Sequence, residues 1–362
     1  MNLKTSSKNL YYVGGCVRDE ILGVDSLDID VCYEGDAVEF VQREGFDIVK
    51  IQKDIRTARV VIDNEEVDFA STRKEVYPKQ GHLPVTTEIG CSLKDDLVRR
   101  DFTVNSIAKS VSTGEIYDPT GGLEDINNKL LRVHHSESFK DDPTRIIRAL
   151  KFAVRFGFEL EPETLQLQKA YLENVNYDMS YSRLKKELVD AFSLNKNEVL
   201  QRFIYTKATR LLSPRDYQLP KCDIAALINE FKASVPWLVY IGWMDLSRLD
   251  LTKKEKKIIE DYKILKALPL DIKDVELYTH CKKCDVTSVL LWIIDGGSSL
   301  GLKYLRELSG IELEIKGKDL LELGFSGKQI GVILESVLEY KLQSPHIKKS
   351  EELEVAQGHQ DT

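Results

Sequence analysis

Over residues 1–133 short apolar runs of strand length alternate with short amphipathic segments, and from residue 141 onward the period becomes helical. Residues 10–13 (LYYV) predict a buried strand, and residues 17–22 a short helix closed by Gly23. The chain returns in residues 27–31 (LDIDV), where alternate residues share a face. Asp28 and Asp30 therefore point one way, while Leu27, Ile29 and Val31 fill the other side. Residues 37–45 predict an amphipathic helix and residues 46–51 a strand. Residues 58–62 and 66–70 predict a hairpin turned at Asp63 and Asn64.

The stretch 71–94 is polar, with Pro78, Gly81, Pro84 and Gly90, and reads as a long loop. Residues 95–108 open on charges and run into an apolar helical stretch, with Arg99, Arg100 and Asp101 at the junction. Residues 116–122 end a strand in a turn, a helix begins at Glu124 and Asp125, and residues 130–133 form a last short strand. Beyond it Pro143 sits in a first helical turn after an acidic cap. Asp142, Arg145, Arg148 and Lys151 recur every three residues as one polar stripe, and Ile146, Ile147, Leu150, Phe152 and Val154 supply the packing faces. Helical periodicity continues over 184–192, 199–205, 223–231 and 256–268, and the polar end, 348–362, is expected to be disordered. The fold class is α+β: an N-terminal head with a small mixed sheet and helices, followed by an all-α remainder.

The candidate chemistry clusters in residues 11–31. Two carboxylates side by side are unfavourable unless a cation neutralises them, and a hard ion such as Mg²⁺ binds one or two carboxylates together with substrate phosphates. Gly14 and Gly15 let backbone N–H groups approach a phosphate at the start of a helix, and Arg18 follows one turn later. A Gly-Gly pair alone is an ordinary turn, and Asp-x-Asp alone an ordinary strand edge. Joined, with Arg18 between them, they outline a metal-dependent nucleotide triphosphate site. Asp68 reads either as a third metal-facing carboxylate or as a strand-end residue bonded to the following turn. Arg99 and Arg100 suit phosphate or ribose contacts, though an ion-pair cluster would look the same. Asp142 and Arg145 belong either to a solvated stripe or to a device that reads a base. A carboxylate acceptor beside a guanidinium donor matches the Watson–Crick edges of cytosine and adenine and mismatches guanine and uracil.

Composition narrows the class. The 362 residues, 42% apolar and 30% charged, are ordinary for a globular protein of two or more domains. No run of eighteen apolar residues occurs and residues 1–10 lack an apolar core, so a cytoplasmic protein without membrane attachment is expected. Six scattered cysteines read as reduced thiols, and the Cys281–Cys284 spacing lacks the second pair a zinc site would need. The basic cluster Lys253, Lys254, Lys256 and Lys257 reads as a solvated face. A net charge of −8 argues mildly against a general nucleic-acid coat and leaves open an RNA-binding enzyme with a local basic surface.

The ordered motifs GGCVRD, LDIDV, RRDFTVNSIA, DPTGG and DDPTRIIRALKFAVRFGF resemble the class II tRNA nucleotidyltransferase and bacterial poly(A) polymerase family over the first half of the chain. The second half is similar more weakly, at residues 182–188 (SRLKKEL) and 317–342, the latter like the tail helices of the CCA-adding branch. The resemblance implies a catalytic head at 1–133, a helical neck with the base-reading helix at 134–192, a body at 193–300 and a tRNA-binding tail at 301–347, before the end segment 348–362. It implies that Asp28 and Asp30 hold catalytic Mg²⁺, with Asp68 a further candidate catalytic carboxylate. Gly14, Gly15 and Arg18 would bind the triphosphate, and Arg100, Asp101 and Asn105 the ribose and phosphates. Asp142 and Arg145 would read the base, supported by Arg148 and Lys151. The sequence departs from the family's commonest pattern at Asp141 (usually Glu), Ser106 (usually Ala) and Lys151 (frequently Arg).

What the resemblance implies is addition of C and A to the tRNA 3′ end from CTP and ATP. CC-only and A-only addition share these motifs, as does poly(A) synthesis. A flexible loop in the region of 71–94 supports A addition in the family, and CC-adding members tend to lack it. A silent RNA-binding protein on the same fold would not need both aspartates of LDIDV, and a small-molecule nucleotidyltransferase would not need Asp142 and Arg145.

Overall fold

The computed structural model describes residues 7–26 and 28–359. Leu27, expected on the apolar side of its strand, lies outside the described residues, as do 1–6 and 360–362. The chain divides into two units, Met1–Leu194 with Gln201–Asp216, and Asn195–Leu200 with Tyr217–Thr362.

The first unit opens with β1 (Leu10–Val13), α1 (Gly15–Leu22), β2 (Ile29–Tyr33), α2 (Ala37–Glu44), β3 (Asp47–Gln52), β4 (Thr57–Ile62) and β5 (Glu65–Ser71). The ribbon β6 (Arg73–Val76) and β7 (Val85–Ile89) leads to α3 (Leu93–Val98), β8 (Ala108–Ser110) and β9 (Ile116–Tyr117). The main sheet runs β3-β4-β5-β2-β1-β8-β9; β2 and β5 are parallel and the other pairs antiparallel. Helix α2 is capped by the Asp36 carboxylate, which accepts from the N–H groups of Val38 and Glu39, and ends at left-handed Gly45. Its Val38, Phe40 and Val41 pack on Val31, Ala58, Val60, Val67 and Phe69. That apolar face covers one side of the sheet. By the strand period of two, the opposite side carries Asp30, Arg59 and Asp68.

Several expectations need correction. The stretch 71–94 is not a structureless loop: β6 and β7 pair antiparallel from Arg73 with Ile89 to Val76 with Val85. The strands are short and carry charges on both faces, so alternation did not mark them. The ribbon's tip is fixed by hydrogen bonds from Gly81 N–H to Asp141 C=O (3.0 Å) and from Ser180 N–H to Gly81 C=O (2.9 Å). The helical stretch expected to follow the Arg99–Asp101 junction is not there: the helix, α3, precedes the junction and ends at Val98, so Arg99 and Arg100 follow a helix rather than start one. A short 3₁₀ turn over Thr103–Asn105 and β8 take the remainder. After α4 (Gly122–Asn127), β10 (Leu130–Leu131) is not part of the main sheet; it pairs in parallel with β11 (Glu159–Leu160).

Between those two strands stand α5 (Ser138–Asp141) and α6 (Thr144–Phe156); α7 (Pro162–Glu173) and α8 (Tyr181–Phe192) follow. Asp142 precedes α6 in extended conformation instead of lying on it. Helix α9 (Asn197–Tyr205) follows, and the second unit is helical: α10 (Ile224–Phe231), α11 (Pro236–Ile241), α12 (Lys253–Lys266), α13 (Asp274–Cys281), α14 (Val286–Trp292) and α15 (Ser298–Lys303). Near the end, α16 (Gly317–Glu322), α17 (Lys328–Gln343) and α18 (Lys349–Gln357) share a core of Leu320, Phe325, Ile333, Val337 and Ala356. The expected disorder from 348 is thus overturned up to 357. The reason is one carboxylate: fully buried Glu352 pairs with Lys341 and accepts from the N–H groups of Glu314 and Ile315, both at 2.9 Å. Glu352→Ala would leave a buried ammonium and two N–H groups unpaired, and is expected to destabilise this unit by about 3–5 kcal/mol. A lowered urea midpoint with early proteolysis near 340–357 is the readout. Among the described residues no helix is long and apolar enough to cross a membrane.

Candidate active site

A cleft of about 610 Å³ in the first unit is lined by Gly14, Gly15, Arg18, Asp28, Asp30, Arg100, Asp101, Asn105, Asp142, Arg145, Arg148 and Lys151, among others. The fold brings together every sequence-predicted position except Asp68, which lines an adjoining lobe that also contains Asp30.

The floor is the β1–α1 turn. Gly14 has φ 71°, and a Cβ built there would stand 2.7 Å from Arg100 Nη1. The Arg100 guanidinium thus occupies the space a side chain would need. Gly14→Ala is expected to displace Arg100 and raise the nucleotide KM about tenfold or more, since left-handed backbone alone costs about 1–2 kcal/mol outside glycine. Steady-state kinetics on ATP and CTP checks it.

Arg18 is buried and pre-set. Its Nε and Nη2 donate to Asp19 Oδ1 at 2.8 and 2.6 Å, Nη1 donates to Asn105 Oδ1 at 2.5 Å, and the guanidinium lies 4.8 and 4.6 Å from the Phe152 and Phe156 ring centres. Burial lowers its pKa, and Asp19 opposes the shift. Arg99 and Arg100 both bind buried Asp96, at 2.6 and 2.9 Å. Burial opposes ionisation of Asp96, yet Arg100 and Arg99 hold its carboxyl below the usual carboxylate range. Arg100 Nε is buried with no hydrogen-bond partner, and an anion in the cleft is a natural acceptor for it.

Asp28, just before β2, is exposed; Asp30, on β2, is half-buried and lies in register with Asp68 on β5. Burial pushes the Asp30 carboxyl up; Arg100 opposes this, and Asp68 and Asp28 add to it. The carboxylates of Asp28 and Asp30, two residues apart at the cleft, are oxygen donors of the kind a hard divalent cation takes. Asp68 is already engaged: Arg59 donates to its two oxygens at 2.8 and 2.7 Å. Among the described residues no three His, Cys, Asp or Glu side chains are placed to share an ion.

The opposite wall is built on α6. Asp142 and Arg145 are buried, not solvated as an exposed stripe would be. Asp142 Oδ1 accepts from Thr144 N–H at 3.1 Å and Oγ1 at 2.6 Å, and Oδ2 accepts from Arg183 at 2.5 Å. Arg145 donates to Ser138 Oγ at 2.5 Å and to Arg99 C=O at 3.3 Å, and its guanidinium lies 6.0 Å from the Tyr77 ring centre. Asp101 is tied to Arg148 at 2.7 Å and to Asn105 Nδ2 at 2.9 Å, so it orients its neighbours. Burial opposes its ionisation, but Arg148 and Asn105 hold its carboxyl well below the usual range. Lys151 stands 3.6 Å from Glu187 and 3.8 Å from Asp190. Ser106, where the family usually has Ala, gives its buried hydroxyl to Phe102 C=O at 3.0 Å and stands 2.8 Å from His134 Nε2.

Sequence reasoning passed over Glu75, Tyr77, Asp96, Arg183 and Glu187. Asp96 with Arg99 and Arg100, and Arg183 with Glu187, carried a signal in their helical three- and four-residue spacings. Glu75 and Tyr77 carried none, since their ribbon was not foreseen.

A glycine turn, adjacent carboxylates at a sheet strand and a facing helix are the parts of a nucleotidyltransferase-type head domain. The family model of the poly A polymerase head domain matches residues 10–132. The A-adding tRNA nucleotidyltransferase of Aquifex aeolicus is 30% identical over 380 residues, 90% of this chain and 44% of that protein. The solved apo form of a CCA-adding enzyme superposes with a TM-score of 0.81 at 28% identity, over 97% of this chain and 91% of that one. The Thermotoga maritima CCA-adding enzyme complexed with tRNA superposes with a TM-score of 0.76 at 26% identity, again over 97% and 91%. The chain belongs to the class II tRNA nucleotidyltransferase and bacterial poly(A) polymerase family. It spans less than half the length of the A-adding relative.

Proposed function

We propose that this protein is a template-independent tRNA nucleotidyltransferase that adds C and A to the tRNA 3′ end from CTP and ATP, releasing pyrophosphate. The observation that carries the reading is the pairing of Asp142 and Arg145 on the wall facing Asp28 and Asp30. Asp142 accepts from the exocyclic amino group shared by cytosine and adenine, and Arg145 donates to the adjacent ring nitrogen. Arg183 and Thr144 aim the Asp142 carboxylate. Gly14, Gly15, Arg18 and Arg100 take the triphosphate. Asp28 and Asp30 would hold divalent ions, Mg²⁺ by their oxygen donors, which when bound supply charge for the attacking hydroxyl and the departing pyrophosphate. Arg148, through Asp101, and Lys151 keep the α6 wall in place. The helical region 301–347 is the proposed tRNA-binding tail.

Addition of A alone is a second reading, favoured by the A-adding relative named above. The deciding experiment is incorporation on three tRNA transcripts, lacking CCA, ending in C and ending in CC, with CTP and ATP separately and together. Complete CCA on the first supports the main reading; a single A on the third alone supports the second. Long A tails on unrelated RNA would place the protein among poly(A) polymerases, and no incorporation would overturn both readings.

A further inference from the structure

The sheet face that carries the carboxylates continues past them. Strand registers place Lys50 of β3 opposite Arg59 of β4, Arg59 opposite Asp68 of β5, and Asp68 beside Asp30 of β2. The result is one row across four strands, each step about 5 Å, reading cation, cation, carboxylate, carboxylate. The row floors the adjoining lobe, about 450 Å³, which is also lined by Gln52, Thr57 and Arg73. This lobe and the nucleotide cleft share Asp30, Arg73, Arg99 and Arg100. They meet at Asp30 and these three arginines, with Asp68 on one side and Asp28 on the other.

In-line displacement puts the attacking oxygen and the leaving group on opposite sides of the reacting phosphorus. The leaving pyrophosphate belongs with Gly14, Gly15 and Arg18, so the attacking hydroxyl belongs on the other side of Asp30. The lobe on that side ends in cations. Lys50 is exposed and has no carboxylate partner among the described residues. Arg59 is half-exposed, and its two strongest contacts are to Asp68.

We infer that this lobe is the acceptor site: Lys50 and Arg59 bind the phosphates preceding the 3′-terminal ribose of the RNA chain. Arg59 exchanges its Asp68 fork for an RNA phosphate, which leaves Asp68 open beside the terminal hydroxyl. The cationic end of the row sets how far the strand enters, and the carboxylate end sets where its last ribose stops. This inference rests on the nucleotidyltransferase reading above and assigns the acceptor half of that same site.

The test compares full-length wild type with Arg59→Ala and Lys50→Glu on a transcript ending in CC. Each variant is expected to raise the KM for RNA about tenfold, as loss of a charge-assisted phosphate contact does. The salt dependence of RNA affinity should fall by about 0.7–0.9 in log–log slope for Arg59→Ala. The KM for ATP should stay within about twofold of wild type. An unchanged KM for RNA with an unchanged salt slope would overturn the assignment, and so would a nucleotide KM that rises as much as the RNA KM. RNA binding is also titrated without nucleotide. If wild type fails to incorporate, the parent reading falls; variants that then bind the transcript as tightly as wild type at low salt overturn the acceptor site independently.

Discussion

Asp30→Ala and Asp28→Ala are each expected to lower nucleotide incorporation about 10³-fold or more, because losing a metal carboxylate removes several kcal/mol of transition-state charge stabilisation. The fold should survive. The backbone of Asp30 pairs in the sheet and its carbonyl accepts from the Cys16 thiol, while its carboxylate meets Arg100 and Arg59 as opposite charges and Asp68 and Asp28 as like charges. Without divalent ions, Asp30→Ala should therefore melt no lower than wild type. Burial and those like charges already oppose its charged form, so removing the carboxylate removes a repulsion. Single-turnover incorporation with thermal melts in chelator checks both halves. Turnover like wild type in either variant would remove Asp28 and Asp30 from the chemistry.

Asp142→Ala is expected to reduce discrimination of CTP and ATP over UTP and GTP by about 10–100-fold, the worth of about 1–3 kcal/mol for a directed base contact. Triphosphate affinity should change less, since the proposed anion contacts are at the Gly14 turn and Arg18. Arg183→Ala should shift discrimination in the same direction by a smaller factor: Thr144 still holds one Asp142 oxygen while the other loses its donor. Competition assays with all four triphosphates separate the two variants. Equal loss for every nucleotide in Asp142→Ala would assign the residue to positioning rather than reading.

Much of the site was legible because its parts are local. The Gly14–Gly15 turn, Arg18, and the Asp28/Asp30 alternation lie within one strand–helix–strand unit, where period and spacing state the geometry directly. Asp142 and Arg145 were legible as a pair, but their burial was not. A stripe of charges every three residues looks solvated until a ribbon and a neighbouring helix close over it. The ribbon itself, β6 and β7, escaped because strands of four and five residues, one of them mostly charged, alternate no more clearly than a loop. Helix α18 escaped for a similar reason. Its composition is polar, and one buried ion pair, Glu352 with Lys341, supplies an anchor that no local pattern displays.

The order of elements, the mixed-sheet head followed by helices, and the carboxylate pair at its centre were determined by the sequence alone, because each depends on contacts within a few residues. Tertiary structure alone decided how distant charges combine: Arg183 aiming Asp142, and Lys50, Arg59, Asp68 and Asp30 drawn into one row. Those pairings follow from strand register and helix docking, and a register is fixed by which faces bury together, a property of the whole sheet rather than of any one strand.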